Sequence, residues 1–431
     1  MRVLIGSTPL AGHVNPMVAI GHVLIADGHE VIGLSGSTFR KRFEAIGAAF
    51  RPLPPSANPD FQNLASFAPE LRSLPADAPS LVRTRVAVGA ALIDTIPLQH
   101  EAIQRILCDI HVDVVVADNA FFGILPMLLG PRATRPAVIV CGTSILQWQR
   151  ADGAPNFIGL PPASTDAERK EYAVIAQERE TLLEQPNVTR VNGHLAAMGL
   201  RPLPRNLFES AVELSDVYLQ LAVPGFEFPR QMPPSVQFIG ALPIVPNQAP
   251  LPPWAPQLDD GRKVVLVTQG TVANRDLGLL VGATLAALAD EPDLLVVATT
   301  GGQPIEAIPG PIPANARLAT YLPFELILPK TDVFVTNGGY GGVTQALSFG
   351  VPLVTAGLSE DKGDVNVRVA WFGLGINLGT NTPTRAALRD AVRTVLGTPS
   401  YRQHARNMAE RFAAIDTRAE ILRIIKQVTS N

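Results

Sequence analysis

Residues 333–362 have the sequence VFVTNGGYGGVTQALSFGVPLVTAGLSEDK, and this stretch indicates the fold more clearly than any other part of the chain. It begins with an apolar run, Val333 to Thr336, that is typical of a buried strand. Four glycines follow and lead into a helix-like segment, Val343 to Phe349. A strand, a glycine turn and a helix in this order present free backbone N–H groups and the positive end of a helix dipole to an anion. The stretch therefore predicts a phosphate-binding turn in an α/β domain.

The length and composition of the chain indicate a globular protein of two domains. Its 431 residues are too many for one ordinary core and suggest two domains of roughly 200 residues each. Hydrophobic residues make up 47% and charged residues 17%, which excludes an intrinsically disordered chain. The formal net charge is -3 and there is no basic stripe, so we expect no nucleic-acid partner. Because no apolar run is long enough for a membrane span and no signal sequence is recognisable, we expect a soluble cytoplasmic enzyme.

The two cysteines, Cys108 and Cys141, lie far apart in largely apolar segments. We expect both to be reduced and buried. A disulfide framework and a zinc site are therefore not predicted.

The first half of the chain alternates predicted strands and helices, which favours a doubly wound α/β domain with a parallel sheet. A helix is predicted over Pro16–Ala26, with Asn15 as its N-cap and Pro16 at the first helical position. A second helix is predicted over Thr38–Ile46. Apolar runs predict five buried strands, namely Arg2–Ser7, His29–Ser35, Ala48–Pro52, Val112–Asp118 and Arg135–Gly142.

A proline-dense stretch, residues 223–262, predicts a stiff connection between two domains. A second α/β set begins after it. Its predicted strands are Lys263–Thr268, Asp293–Thr299, 317–320, 332–336 and 351–355. Its predicted helices are Leu277–Ala289, Thr384–Leu396 and Tyr401–Val428.

Two polar residues of the first half are predicted at the carboxyl edge of its sheet, where ligands of open α/β sheets bind. His13 lies in the loop after the first strand and just before the predicted helix, a position that disfavours the protonated imidazole. Asp118 ends the fourth strand at the same edge. An Asp–His pair orients the imidazole and stabilises its charged form. A histidine bonded to local backbone and an aspartate that caps the turn at Asn119 remain alternatives.

Two motifs in the second half are candidates for contacts with a nucleotide. Gly270 and Thr271 follow the strand that begins at Lys263 and can offer a backbone N–H group and a hydroxyl to a phosphate. Tyr321 and Phe324 lie near a predicted strand end, where an aromatic ring can stack on a base. An ordinary strand-to-helix turn and aromatic core residues are the alternatives.

These motifs occur together in the order seen in one family. GHVNP at residues 12–16, Asp118, YLPF at residues 321–324 and the motif NGGYGGVTQAL…GVP…EDK resemble those of the inverting nucleotide-sugar glycosyltransferases. That large family glycosylates natural products, macrolides, flavonoids and lipids. The resemblance covers essentially the whole chain, and the second half carries its more specific motifs.

The resemblance implies an α/β fold of two facing Rossmann-like domains, the GT-B architecture. Residues 1–222 would bind the acceptor, and residues 223–262 would be a proline-rich linker. Residues 263–405 would bind the nucleotide-sugar donor. Residues 406–431 would form a C-terminal helix that crosses back to the first domain.

The implied reaction moves a sugar, with inversion, from a UDP- or dTDP-sugar to a hydroxyl of a small apolar acceptor such as a natural product. We expect no cofactor besides the nucleotide-sugar co-substrate. Because no D-x-D motif ends a predicted strand, we also expect no metal; backbone amides and a helix dipole would hold the leaving diphosphate. The protein would be a monomer or homodimer without stable membrane insertion. A nucleotide-sugar epimerase on the same fold and a non-catalytic nucleotide-sugar-binding protein remain alternatives.

The family's functional residues match positions of this chain one by one. By resemblance His13 is the general base that deprotonates the acceptor, and Asp118 is its partner. Tyr321 would stack on the base, while Asp361 and Lys362 would read sugar hydroxyls. The full set of implied donor contacts is Gly12, Gly270, Thr271, Tyr321, Asn337, Gly339, Gly341, Gly342, Val343, Gln345, Asp361 and Lys362.

The donor motif departs from the family pattern at four positions. Asn337 replaces a histidine that donates to the diphosphate, and Gly342 replaces a serine. Gln345 replaces the glutamate that grips the ribose hydroxyls, and Lys362 replaces a glutamine that reads the sugar. A neutral amide grips a vicinal diol less firmly than a carboxylate does. We therefore expect weak discrimination between UDP and dTDP, or a preference for dTDP.

Aromatic residues around the expected acceptor pocket favour an apolar acceptor. Any one of them is also an ordinary candidate for the core. The predicted acceptor contacts are Phe61, Phe67, Phe121, Phe122 and Trp148.

Overall fold

The computed structural model describes residues 1–61, 63–244, 251–271 and 273–430. Residues 245–250, which belong to the predicted linker, lie outside the described residues. The described chain forms two parallel β-sheets, each flanked by helices. This confirms the predicted α/β fold with two Rossmann-like units.

The first sheet has seven strands in the order β3-β2-β1-β4-β5-β6-β7. All of its neighbouring strands pair in parallel. The strand order reverses between β1 and β4, and such a switch point leaves a crevice at the carboxyl ends of the two strands. The strands are β1 Arg2–Gly6, β2 Glu30–Ser35, β3 Ala49–Pro52, β4 Val114–Asp118, β5 Ala137–Gly142, β6 Val217–Gln220 and β7 Val236–Phe238.

The second sheet has six parallel strands in the order β10-β9-β8-β11-β12-β13. Its strand order reverses between β8 and β11, which makes a second crevice of the same kind. The strands are β8 Lys263–Thr268, β9 Leu294–Thr299, β10 Ala316–Ala319, β11 Val333–Thr336, β12 Leu353–Thr355 and β13 Gly375–Asn377.

Helices cover the sheets, and three π-helical turns, Gly89–Ile93, Glu180–Glu184 and Gly278–Gly282, adjoin them. In the first half the α-helices are α1 Ala11–Ala26, α2 Arg40–Glu44, α3 Leu64–Phe67, α4 Glu70–Ser73, α5 Ser80–Val88, α6 Ile96–Asp109, α7 Leu125–Leu129, α8 Asp166–Arg179, α9 Gln185–Ala197 and α10 Leu207–Leu214. In the second half they are α11 Ala283–Ala287, α12 Phe324–Ile327, α13 Tyr340–Ser348, α14 Lys362–Trp371, α15 Arg385–Gly397, α16 Pro399–Ala413 and α17 Thr417–Thr429.

The core lies on both faces of each sheet, since the crossover helices exclude water from both. Every residue of β4 is buried, as are all residues of β9 and β11. Successive residues of a strand serve opposite faces, so Leu4 and Ile5 pack in two different apolar clusters. Continuous apolar runs in the sequence therefore predicted these central strands correctly.

Helix α1 begins earlier than its sequence predicts. It starts at Ala11, so that Pro16 lies inside it and Asn15 is not its N-cap. The preceding residue is Leu10, whose carbonyl accepts the first helical bond from the Val14 amide at 2.9 Å. Proline is common at the first helical position, and that preference placed the predicted start too late.

Three short strands were not predicted. They are β6, β7 and β13, with four, three and three residues. Strand β7 lies within residues 223–262 and pairs with β6, so part of the predicted linker belongs to the first sheet. Cys108 also differs from expectation, because it is exposed, whereas Cys141 is buried; both are free thiols.

The chain end returns to the first half of the molecule, as the resemblance implied, but the predictions of one helix over residues 406–431 and over Tyr401–Val428 are wrong, because α16 ends at Ala413 and α17 begins at Thr417. Helix α17 begins after Asp416, whose side chain caps it by accepting from the Ala419 amide at 3.0 Å. Ile421, Ile424 and Ile425 of α17 are buried. The Arg132 guanidinium donates to the Val428 carbonyl at 3.1 Å, which ties α17 to the first domain.

Within the described part of the chain, no helix has the length and apolar character needed to span a membrane.

Candidate active site

His13 and Asp118 meet at the switch point of the first sheet. His13 lies in the first turn of α1, and its Nδ1 is 2.8 Å from Asp118 Oδ1. Asp118 is fully buried at the end of β4. It accepts hydrogen bonds from the Thr8 amide at 2.6 Å, the Thr8 hydroxyl at 3.0 Å and the Ala120 amide at 2.9 Å. These donors hold the carboxylate in place, so that it can orient the imidazole.

The hydrogen bonds around Nδ1 determine which imidazole nitrogen is free. An ionised Asp118 accepts a hydrogen bond from the Nδ1–H group, which leaves the lone pair of the neutral imidazole on Nε2. The Thr143 hydroxyl lies 3.0 Å from the same Nδ1 and donates to Asn119 Oδ1 at 2.8 Å, so it can only accept from the imidazole. The His13 side chain is 20% exposed. Nε2 can therefore act as a base toward the cleft.

Thr143 and Asn119 were not predicted as parts of this site. Both directly follow buried strands, β5 and β4, and lie at the same sheet edge as His13. A polar residue immediately after an apolar strand is the sequence signal that would have identified them.

The interaction between His13 and Asp118 raises the pKa of the histidine and lowers the pKa of the aspartate. Burial lowers the pKa of His13, but the charge and hydrogen bond of Asp118 outweigh it, so the pKa is raised above its ordinary value. Burial raises the pKa of Asp118, but His13 and the Thr8 and Ala120 amides outweigh it, so that pKa is lowered. Asp118 therefore stays ionised where the imidazole titrates.

Asp361 brings a charge of the second domain to the same place. It precedes α14, and its charge further raises the pKa of His13. Burial raises the pKa of Asp361 itself to about 6, while the charge of His13 opposes that shift. The two domains thus face each other across a cleft that contains His13 on one side and Asp361 on the other.

The glycine turn lies at the switch point of the second sheet. Gly270 follows β8 with a φ of 73°, a left-handed conformation that favours glycine. Across the switch point the side-chain amide of Asn337 donates to the Gln269 backbone carbonyl at 2.6 Å. This bond joins the ends of β11 and β8. Helix α13 begins after Gly339, and a Cβ added at Gly341 would meet no atom within 4 Å. The start of α13 is thus open to a ligand.

The residues at the start of α13 differ in whether their backbone amides are hydrogen-bonded within the helix. The first bond within α13 runs from the Val343 amide to the Gly339 carbonyl at 3.0 Å. The first-turn amides of Tyr340, Gly341 and Gly342 point out of the helix start without an intrahelical acceptor. Val343 is wrong as a predicted phosphate contact, because its amide is used by the helix and its side chain is fully buried.

The other predicted donor residues differ in how far they are exposed. Thr271 follows Gly270 and is half-buried, as is Gln345 on α13. Tyr321 is 50% exposed, which leaves its ring free to stack on a base. Gly12, in the first turn of α1, has nothing within 4 Å of the place where a Cβ would be. Lys362 is buried at the start of α14 and pairs with Glu360.

The predicted acceptor residues divide into two groups. Phe121 and Phe122 are wrong as acceptor contacts, because both are fully buried in the core of the first domain and offer no surface. Phe61, Phe67 and Trp148 are half-buried or exposed and remain predictions. A cavity of about 310 Å³ in the first domain is lined by other residues, among them Gln147, Phe157, Phe208 and Glu209.

Metal-ligating side chains show no suitable grouping. Among the described residues, no three or more His, Cys, Asp or Glu side chains are placed to hold a metal ion together. The positive end of α13 and its free amides are groups of the kind that stabilise an anion.

The amino-acid sequence is similar over its whole length to known enzymes. It is 38% identical over 430 residues to the 4'-demethylrebeccamycin synthase of Lentzea aerocolonigenes, with 99% of each chain covered. It is 35% identical to UDP-glycosyltransferase 2 of Phaeomoniella chlamydospora, with 96% of this chain and 93% of that protein covered. The chain belongs to the UDP-glycosyltransferase family. Residues 283–428 of this glycosyltransferase match the family described as erythromycin biosynthesis protein CIII-like, C-terminal domain.

The glycosyltransferase has the GT-B architecture. Its fold is similar to the crystal structure of a calicheamicin glycosyltransferase, with a TM-score of 0.74, 19% identity and coverage of 100% of this chain and 98% of that chain. The enzyme transfers a sugar from a nucleotide-sugar donor to an acceptor. The alternatives of an epimerase and of a non-catalytic binding protein are therefore not retained.

Proposed function

We propose that this glycosyltransferase works by a single inverting displacement with His13 as general base. The observation that carries the proposal is the His13–Asp118 pair, in which Asp118 engages Nδ1 and leaves Nε2 free, while the charge of Asp361 from the second domain acts on the same imidazole. In this step Nε2 takes the proton of an acceptor hydroxyl and the oxygen bonds to the anomeric carbon. The bond between that carbon and the phosphate oxygen breaks, and the nucleoside diphosphate leaves.

The amides of Tyr340, Gly341 and Gly342 support this assignment of the leaving group. They lie at the positive end of a helix dipole, where an anion is stabilised without a metal ion. We therefore propose a metal-independent reaction in which no cofactor besides the nucleotide sugar takes part. Base catalysis and stabilisation of the leaving group would each contribute roughly 10²–10³-fold.

The proposed acceptor is a small apolar natural product with a free hydroxyl. The name of the relative from Lentzea aerocolonigenes, a demethylrebeccamycin synthase, supports this class. The rings of Phe61, Phe67 and Trp148 are candidates for its apolar contacts. A UDP- or dTDP-sugar is the proposed donor, and a cytoplasmic location and a monomer or homodimer remain our predictions.

Product analysis tests the reaction. The protein is incubated with UDP- and dTDP-glucose and a panel of phenolic and indole-type acceptors, with and without EDTA, and products are analysed by mass spectrometry and NMR. We expect a glycoside of inverted anomeric configuration that also forms in EDTA. A glycoside of retained configuration would contradict the single displacement. Activity that is lost in EDTA and returns with magnesium or manganese would contradict the metal-independent step.

A further inference from the structure

Lys362 is a buried cation whose role the proposed reaction leaves open. The residue is 6% exposed at the start of α14, and its ammonium pairs with the Glu360 carboxylate. Burial lowers the pKa of this ammonium to about 8. A buried ammonium requires an anionic partner. Here that partner is a side chain that is itself 53% exposed, on a residue with a left-handed φ of 56°.

The aliphatic part of the Lys362 side chain lies near Asn337, the residue that follows β11 and begins the glycine turn. Gly357 separates the two: a Cβ added there would collide with the Asn337 carbonyl oxygen and lie 3.3 Å from Lys362 Cδ. Asn366, also on α14, donates to the Asn337 carbonyl at 3.2 Å and to the Gly357 carbonyl at 2.9 Å. The start of α14 is therefore fixed against the turn that precedes α13.

Asp361 and Lys362 have different neighbours. Side chains one position apart at a helix start do not face each other. The charge of Asp361 acts on His13, at the reacting end of the site. The stem of Lys362 packs on Gly357, on the side of the glycine turn. The two residues are thus suited to different parts of a nucleotide sugar.

The glycine turn itself carries no cationic side chain. Residues 337–343 are NGGYGGV, so the turn offers amides and a helix dipole equivalent to roughly half a charge. A diphosphate carries more than one negative charge, and Asn337 is neutral. Lys362 is a cation whose stem lies near the first residue of this turn, because its Cδ and the Asn337 carbonyl oxygen both lie close to Gly357.

We propose that Lys362 binds the diphosphate of the donor rather than the hydroxyls of its sugar. This rests on the proposed function of α13 as the diphosphate site. Glu360 holds the ammonium in the free enzyme and is replaced by a phosphate oxygen when the donor binds. Lys362 then supplies the charge that a histidine at position 337 would have provided and stabilises the leaving group.

Equilibrium titrations with diphosphates and monophosphates test the proposal, because they need no turnover. UDP, dTDP, UMP and dTMP are titrated into the wild-type enzyme, Lys362→Met and Lys362→Gln. We expect both variants to lose about tenfold or more in affinity for the diphosphates and less than about threefold for the monophosphates. Equal losses for both kinds of nucleotide, or unchanged diphosphate affinity, would overturn it. So would recovery by glutamine, which keeps hydrogen bonding to a sugar but not the charge.

Glu360→Gln is the matched variant that keeps the lysine and removes its competing partner. We expect it to bind diphosphates more tightly, by about threefold or more, with little change for monophosphates. An unchanged ratio would contradict the exchange of partners, and this arm holds even where a Lys362 variant does not fold. If the wild-type enzyme binds none of the four nucleotides, the proposed function of α13 fails. If it binds diphosphates but Lys362 does not matter, only the present inference fails.

Discussion

At the scale of single residues, the pair of His13 and Asp118 carries the proposed chemistry. Replacing His13 by alanine removes the proton acceptor, so we expect kcat to fall by about 10²–10⁴-fold. Nucleotide affinity should change little, since the imidazole acts on the acceptor. Asp118→Asn should also lower kcat, because the neutral amide of asparagine cannot orient the imidazole by charge as the carboxylate does. Steady-state kinetics and calorimetric titration measure the two effects.

Thr143→Val is the control for this pair. Thr143 contacts the same Nδ1 at 3.0 Å, but Asp118 remains to hold the ring. We expect less than about a tenfold loss of kcat from the valine variant. A loss as large as that of His13→Ala would show that the hydroxyl, and not the carboxylate, positions the imidazole. Activity of His13→Ala close to wild type would remove the base assignment.

The pH dependence follows from the raised pKa of His13. The base must be neutral, so kcat/KM should rise with pH through a pKa above the ordinary value of about 6.5. The charge and hydrogen bond of Asp118 raise this pKa against the effect of burial, so the acidic limb should move to lower pH in Asp118→Asn. NMR titration of the His13 ring gives an independent value. A limb that stays in place in the asparagine variant would assign the titration to another group.

We expect the preference between UDP and dTDP to change when Gln345 is replaced. As a neutral acceptor it should grip a ribose diol less firmly than a glutamate, and one charge-assisted bond is worth about 1–2 kcal/mol. Gln345→Glu should therefore shift the affinity ratio toward UDP by about tenfold. Calorimetric titration of both proteins with UDP and dTDP measures the ratio. A wild-type enzyme that prefers UDP by more than about 2 kcal/mol, unchanged in the variant, would contradict this role.

At the scale of elements, the start of α13 is joined to the first sheet by one buried hydrogen bond. Gln220, the last residue of β6, donates to the Tyr340 hydroxyl at 2.6 Å and to the Ser144 carbonyl at 2.8 Å. Tyr340→Phe leaves a buried amide hydrogen without a partner, which costs about 1–3 kcal/mol. Urea unfolding measures the loss. Tyr321→Phe is the control, because Tyr321 is half exposed and should lose almost nothing; equal losses would refute the cross-domain bond.

The sequence predicted some elements well and others poorly for identifiable reasons. Strands such as β4 and β8 are continuous apolar runs, and burial on both faces demands such a pattern. Strand β7 has only three half-buried residues in a proline-rich stretch, so hydrogen bonding to β6 rather than composition defines it. The start of α1 was missed because Pro16 resembles a helix start, while the helix in the structure extends past it toward the cleft.

At the scale of the whole molecule, the candidate site depends on contacts that no local pattern encodes. The position of His13 and Asp118 at strand ends was predictable, because carboxyl ends of parallel strands share an edge. The approach of Asp361 to His13 depends on how the two domains pack. Phe121 and Phe122 were misassigned for a different reason, since an aromatic residue after a strand can belong to a pocket or, as here, to the core of its own domain.

A buried ion pair between the domains is therefore expected to control the alignment of the site. Glu227, between β6 and β7, accepts from Arg368 of α14 at 2.6 Å and from Arg230 at 2.8 Å. The side chains of Glu227 and Arg368 are 5% and 1% exposed. Burial raises the pKa of Glu227, but the two arginine charges outweigh it and keep that pKa lowered. Helix α14 is the element that begins with Lys362, so this pair fixes the donor side of the cleft against the first domain.

Glu227→Gln removes the negative charge shared by two buried guanidinium groups, so that Arg230 loses its carboxylate partner and Arg368 keeps only the Asp364 carboxylate at 3.9 Å. Such a loss costs about 3–5 kcal/mol, so we expect a clearly lower thermal unfolding temperature. We also expect kcat to fall more than UDP affinity, because the proposed nucleotide contacts lie in the second domain while the base lies in the first. Glu101→Gln is the matched control, since its pair with Arg105 is exposed on α6 and worth at most about 1 kcal/mol. If Glu227→Gln unfolds like that control and keeps its kcat, the ion pair does not hold the cleft, and other contacts between the two domains, such as the Gln220–Tyr340 hydrogen bond, align Asp361 with His13.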